Sequence, residues 1–231
     1  MFRRNSLALI LMLIAGLLTA CSSGSPPPAP TSTSAPTTTP NAQGTPASSA
    51  DTLRFELATE GNEARYRVRE QLASLAFPSD AVGVTSAVTG ALVLNADGTV
   101  VSDESKFVVD ITGLTSDRSM RDRYLQSNIL QTRTYPTVEF VPRQVIGLSS
   151  PLPTSGDVTF QLVGDLTVMG STRSITWEVT GTTTDGRELT GTATTHFTFE
   201  DFGLNQPRVP TVLSVQDNIQ LELDFHFVRV N

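Results

Sequence analysis

From residue 51 onward the sequence predicts an all-β domain, and three observations predict it. Apolar residues recur at every second position in several runs, short turn signals separate those runs, and a single segment departs to helical spacing. The longest run is Ile219, Leu221, Leu223, Phe225 and Phe227, interleaved with Gln220, Glu222, Asp224 and His226. Successive side chains of a strand stand on opposite faces, so this alternation buries one face and wets the other. The same pattern recurs at Phe160, Leu162, Gly164, Leu166 and Val168, and at Ile175, Trp177 and Val179. Shorter runs follow it at Phe197 and Phe199, at Phe107, Val109 and Ile111, and at Ala64, Tyr66 and Val68.

Turn signals fall at Glu60-Gly61-Asn62, Asp97-Gly98, Met169-Gly170-Ser171 and Asp185-Gly186, each short enough to close an antiparallel hairpin. The chain therefore reads as successive hairpins of about eight or nine strands rather than as βαβ units. Between Ser119 and Ile129 the spacing of Met120, Tyr124 and Leu125 is helical, with Ser119 and Asp122 as the expected N-terminal cap and Pro136 soon after. So many antiparallel strands must close into a barrel or split into a sandwich, because open edges invite aggregation. Alternation fits both equally well.

The first fifty residues have a different character. Arg3 and Arg4 precede an apolar stretch from Leu7 to Ala20, the charged and apolar regions of a secretory signal, so residues 1–20 are expected to be a signal peptide. The stretch is too short for a comfortable membrane span. It ends Leu18-Thr19-Ala20-Cys21, which looks like a bacterial lipobox, so Cys21, the only cysteine, is the expected lipidation site. Residues 22–50 contain only Ser, Thr, Pro, Ala, Gly, Asn and Gln. Such a composition cannot bury enough surface to offset its ordering entropy, so residues 21–50 are expected to be a lipidated, disordered tether to the domain of residues 51–231. The expected location is the bacterial cell envelope, lipid-anchored and extracytoplasmic. Formal charge is −7 for the whole chain. A chain this acidic is not expected to seek nucleic acid or anionic lipid head groups by charge alone.

Family motifs decide between barrel and sandwich. The run Phe107-Val108-Val109-Asp110-Ile111-Thr112-Gly113-Leu114-Thr115-Ser116-Asp117 is followed by Arg121-Asp122, by Tyr124-Leu125-Gln126-Ser127, and by Tyr135-Pro136 leading to Phe140. Gly164-Asp165-Leu166-Thr167-Val168-Met169-Gly170-Ser171-Thr172-Arg173 comes next, then Asp201-Phe202-Gly203-Leu204. In this order they resemble the YceI-like family of lipocalin-like, polyisoprenoid-binding proteins over roughly residues 84 to 230. The resemblance implies a lipocalin-like closed antiparallel β-barrel of about eight strands with one short helix. It further implies an apolar interior that holds a polyisoprenoid or similar long-chain amphiphile. The family's usual opening strand motif is missing, so Leu53 to Ala81 is expected as an extra or altered hairpin.

The candidate cavity residues are the inward-facing apolar side chains: Phe107, Val109, Ile111 and Phe140; Phe160, Leu162, Leu166, Trp177 and Val179; and Phe197, Phe199, Leu223, Phe225 and Phe227. A prenyl tail is recognised by apolar contact along a tunnel and needs few directional groups. Gly90 and Gly164, inward by alternation, are expected to leave room in it. Aromatics on one strand face also fill solid cores. The rival reading is therefore a cell-surface interaction module with a packed interior that binds a protein or wall partner. No G-x-S-x-G, H-E-x-x-H, P-loop or G-x-G-x-x-G motif occurs, and no catalytic residue, metal or cofactor is expected. His196 and His226 fall opposite the neighbouring phenylalanines, on the solvent face. Arg118, Arg121 and Arg123 cluster at the start of the helix, where a phosphate head group or internal ion pairs with Asp117 and Asp122 would account for them equally well.

Overall fold

Antiparallel pairing links every strand in the computed structural model, which describes residues 52–230. The leader, Cys21 and the tether lie outside the described residues. In chain order the strands are β1 (Thr52–Leu57), β2 (Glu63–Leu72), β3 (Ser79–Thr85), β4 (Val88–Asn95), β5 (Lys106–Asp110) and β6 (Thr115–Ser116). After the helix α1 (Ser119–Tyr124) come β7 (Thr137–Ile146), β8 (Gly156–Val168), β9 (Ser171–Thr183), β10 (Glu188–Phe197) and β11 (Val212–Arg229).

These segments occupy eight positions around a ring, because three of the strands are interrupted. β1 and β2 both run antiparallel to β11, Leu57 opposite Phe227 and Glu63 opposite Asp224, so they are two halves of one strand. β4 and β3 repeat the interruption along β1 and β2, and β5 and β6 repeat it along β4 and β3. The ring runs β1–β4–β5–β7–β8–β9–β10–β11 and returns to β1 through Phe55–Arg229, Glu56–Val228 and Leu57–Phe227. Closure leaves no free edge among these eight strands, while the β2–β3 branch ends at β6, which pairs only with β3.

Several expectations about local structure are corrected here. Glu60-Gly61-Asn62 does not close a hairpin. Asn62 is buried, donates from Nδ2 to the Ala58 carbonyl at 2.6 Å and accepts the His226 N–H at 2.9 Å, pinning the interruption onto β11. Leu53 to Ala81 accordingly forms an altered part of the ring and not an extra hairpin: β1 and β2 lie along β11, and β2 turns back into β3. The expected Ser119–Asp122 cap is absent as well: Asp122 accepts from both the backbone N–H (2.9 Å) and the hydroxyl (2.6 Å) of Ser116. α1 is also shorter than its apolar spacing implied, since residues Leu125–Ile129 continue as a π-helical turn in which the Leu130 N–H reaches the Leu125 carbonyl at 2.7 Å. The Met169-Gly170 turn is as expected: both residues have positive φ (49° and 75°), the two-residue geometry that matches strand twist.

The two ends of the ring differ. At one pole lie the start of β1, the Asp97-Gly98 turn, residues 147–155 and the β9–β10 turn. There Phe55, Leu94 and Val158 are buried, with Val100, Leu148 and Leu152 packed against them. This end is a solid core. The opposite pole carries the β2–β3 loop, α1, the β8–β9 turn and the loop from β10 to β11.

Candidate functional site, an apolar cavity

Above the solid pole the strands enclose a cavity of about 1020 Å³. Eight strands give an interior that side chains just fill or that admits one slender ligand, and here the second case holds. The volume is at the upper end of the roughly 300–1,000 Å³ typical of small-molecule sites. All fourteen cavity residues read from the sequence line it: Phe107 and Val109 on β5 with Ile111 just after, Phe140 on β7, Phe160, Leu162 and Leu166 on β8, and Trp177 and Val179 on β9. Phe197 ends β10, Phe199 precedes a 3₁₀ turn, and Leu223, Phe225 and Phe227 come from β11.

Aromatic contacts set the floor. Phe107 meets Phe227 edge-on with centroids 5.7 Å apart. Their strands are separated in the ring by β4 and β1, so this contact crosses the interior. Phe225 packs on Phe227 at 5.0 Å, and Phe140 on Trp177 at 6.0 Å. Gly90 and Gly164 serve this layer instead of opening space, which corrects the expectation for them. A Cβ on Gly164 would sit 2.4 Å from the Val141 carbonyl and 2.7 Å from the Phe140 ring; one on Gly90 would sit 2.4 Å from the Lys106 carbonyl and 2.5 Å from the Phe107 ring. Each glycine lets a phenylalanine lie across the neighbouring strand.

Other lining residues were not assigned to the cavity from the sequence. Ala193 lines it, but its small side chain carries little periodic signal. Ala64, Tyr66, Ile219 and Leu221 stand on strand faces that alternation marked, and Tyr124, Leu125 and Ile129 come from the helical segment. These could have been found by extending the cavity along each marked face.

Polar groups gather towards the mouth. Arg121 pairs with Glu70 at 2.5 Å and with Asp117, and also donates to the Ser116 hydroxyl at 3.1 Å. Burial opposes its charge, but the hydrogen bonds it donates to Asp117 and Glu70 more than offset that and raise its pKa. Arg121 is thus held by its own neighbours, and Arg118 lies 3.6 Å from Asp117. Tyr66 has its hydroxyl pKa pushed up to about 12, chiefly by burial. The buried Tyr66 hydroxyl faces Ser116, and the Trp177 indole N–H is buried without a hydrogen-bond partner. His196 is exposed, and half-buried His226 faces Glu188 at 3.3 Å outside the ring. Among the described residues no group of His, Cys, Asp and Glu is placed to hold a metal ion.

A profile of the YceI-like domain matches residues 55–227. A Pseudomonas putida (strain F1) UPF0312 protein is 33% identical over 113 residues, 46% of this chain and 55% of the relative, and its counterpart from strain GB-1 is 32% identical over the same shares. The chain thus matches about half the length of these curated relatives. Among solved structures, a polyisoprenoid-binding domain from Saccharophagus degradans superposes with a TM-score of 0.57 at 9% identity, covering 76% of this chain and 98% of that one. Burkholderia cenocepacia BcnA gives 0.53 at 16% identity, covering 74% and 98%. Campylobacter jejuni YCEI protein gives 0.51 at 16%, covering 70% and 91%. At these identities the likeness is one of fold.

Proposed function

Given that the chain belongs to the YceI-like domain family, we propose that it sequesters or carries a polyisoprenoid or similar long-chain amphiphile in its ring, held outside the cytoplasmic membrane by an acylated Cys21. The continuous apolar cavity of about 1020 Å³ carries the proposal. Burial contributes about 0.8 kcal/mol per CH₂, so each five-carbon isoprene unit that leaves water gains roughly 4 kcal/mol before binding costs are subtracted. Recognition of this kind asks for contact area and length rather than directional groups, and the fourteen lining residues supply contact area. The proposal is of binding without chemistry. It is supported further by the polyisoprenoid-binding domain of Saccharophagus degradans among the structural neighbours. The lipobox and the Pro/Ser/Thr-rich segment motivate the anchored, extracytoplasmic location.

The test is organic extraction of the protein purified from its own cell envelope, followed by mass spectrometry. One long-chain lipid per chain is expected. Absence of bound lipid together with no uptake of added prenyl compounds contradicts the proposal. Replacing Cys21→Ala is expected to release the protein from membranes, and continued membrane association contradicts the anchor.

A further inference from the structure

Exposed apolar side chains are not spread evenly over the described residues. The three most exposed large ones are Phe77 (79%), Met120 (76%) and Leu213 (67%), and all lie at the mouth pole with Leu75. Phe77 and Leu75 occupy the β2–β3 loop, and Met120 lies on α1 beside Arg121, which reaches Glu70 of β2. Leu213 stands next to Val212, the partner of Leu72 at the end of β2. Their neighbours Ala73, Ser74 and Val212, and Met120 itself, line the cavity, so the patch is the rim of the opening. Soluble domains keep such patches for a surface that covers them.

The rim also carries cations that no carboxylate neutralises. The β2–β3 loop from Ala73 to Pro78 has no charged residue, and the loop from Asn205 to Thr211 has only Arg208. Arg123 of α1 and Arg208 are both exposed, and neither makes an ion pair among the described residues. Most acids of this end are engaged: Glu70 and Asp117 with Arg121, Asp80 with Arg67 and Arg69, Asp201 with Thr198 and Asp217 with the Phe199 N–H, while Glu200 stands exposed. A rim of exposed apolar tips flanked by unpaired arginines, on a chain of net charge −7, is complementary to one partner in particular: a bilayer with anionic head groups.

We propose that the mouth pole docks onto an anionic lipid bilayer, with Phe77, Met120, Leu213 and Leu75 entering the interface and Arg123 and Arg208 meeting head groups, so that the cavity opens directly to the acyl layer. This extends the carrier reading, since a long-chain ligand that enters from a bilayer need not cross water. The described chain begins at the opposite, solid pole.

The test uses the full chain with Cys21→Ala, which removes the only native thiol, and a single new cysteine at Phe77, at Leu213 or, as the control at the other pole, at Ile146. Each is labelled with an environment-sensitive fluorophore and reconstituted into vesicles of phosphatidylcholine with or without phosphatidylglycerol. Labels at 77 and 213 are expected to shift to the blue and to be quenched by lipid-borne spin labels, while the label at 146 stays aqueous. Omitting phosphatidylglycerol, or replacing Arg123 and Arg208 by Glu, should lower the embedded fraction severalfold. A label at 77 as water-exposed as that at 146 overturns the proposal. Concentration-dependent shielding at 77 without vesicles also overturns it, in favour of a second copy of this chain. Quenching of Trp177 by a brominated prenol, read on the same samples, separates the two claims. Quenching with an aqueous label at 77 sinks docking alone, and an embedded label without quenching sinks the carrier reading alone.

Discussion

Tyr66 is where burial acts most visibly on a single side chain. Its phenol is pushed up to about 12, mainly because the charged form would be desolvated. A raised folded-state pKa means that the unfolded chain ionises first as pH rises. Stability from this group is therefore complete below about pH 10 and is lost between the ordinary phenol value and about 12. Spectrophotometric titration should show one of the three tyrosines ionising late, and Tyr66→Phe should remove that late fraction; three coincident titrations would contradict it. At this scale the sequence was informative wherever a large apolar residue alternated with a polar one, which is why Phe160, Trp177 and Phe225 could be placed inside. It was uninformative at Ala193, whose small side chain gives no periodic signal, and misleading at Gly90 and Gly164. Alternation gives the face of a glycine but not the phenylalanine ring that lies across it.

At the scale of elements, β2 and β11 are joined on their outer face by an ion network. Glu222 accepts from Arg65 at 3.0 Å and from Arg67 at 3.2 Å, and Arg65 also reaches Asp224 at 2.7 Å. Burial alone would raise the Glu222 pKa, but hydrogen bonds from Arg67 and Arg65 outweigh it and the pKa is lowered. A carboxylate with a depressed folded pKa stabilises above its unfolded value and loses that contribution as pH falls through the folded one. Thermal melts should therefore drop more steeply below about pH 4.5 for the native chain than for Glu222→Gln; parallel profiles would contradict it. Interruption of three strands was not legible in the sequence. Gly61 in a short polar segment looks the same whether the chain reverses or continues, and the difference depends on β11 being long enough to pair with both β1 and β2. The helix was legible in its spacing but not in its cap, because Ser116 lies in β6, outside the helical pattern.

For the whole molecule, what matters is that one pole is solid and the rest of the ring is hollow. Alternation alone could not decide this, since the same residues would fill a solid core; closure through three residue pairs between β1 and β11 makes the ring, and the cavity of about 1020 Å³ is what its side chains leave unfilled. In a filled interior, enlarging a buried alanine to phenylalanine costs about 1–3 kcal/mol by overpacking. Ala193 is buried and lines the cavity, so Ala193→Phe should cost less than about 1 kcal/mol in denaturant unfolding, because its ring has space to enter. Trp177 is the chain's only tryptophan and lies in the cavity wall, so its emission reports on the interior directly. The decisive measurement is quenching of that emission by a brominated long-chain prenol. Saturation at one prenol per chain, abolished by Ala193→Phe, is the predicted result. Emission indifferent to the prenol, or quenched equally in Ala193→Phe, would contradict an interior that holds a hydrocarbon chain.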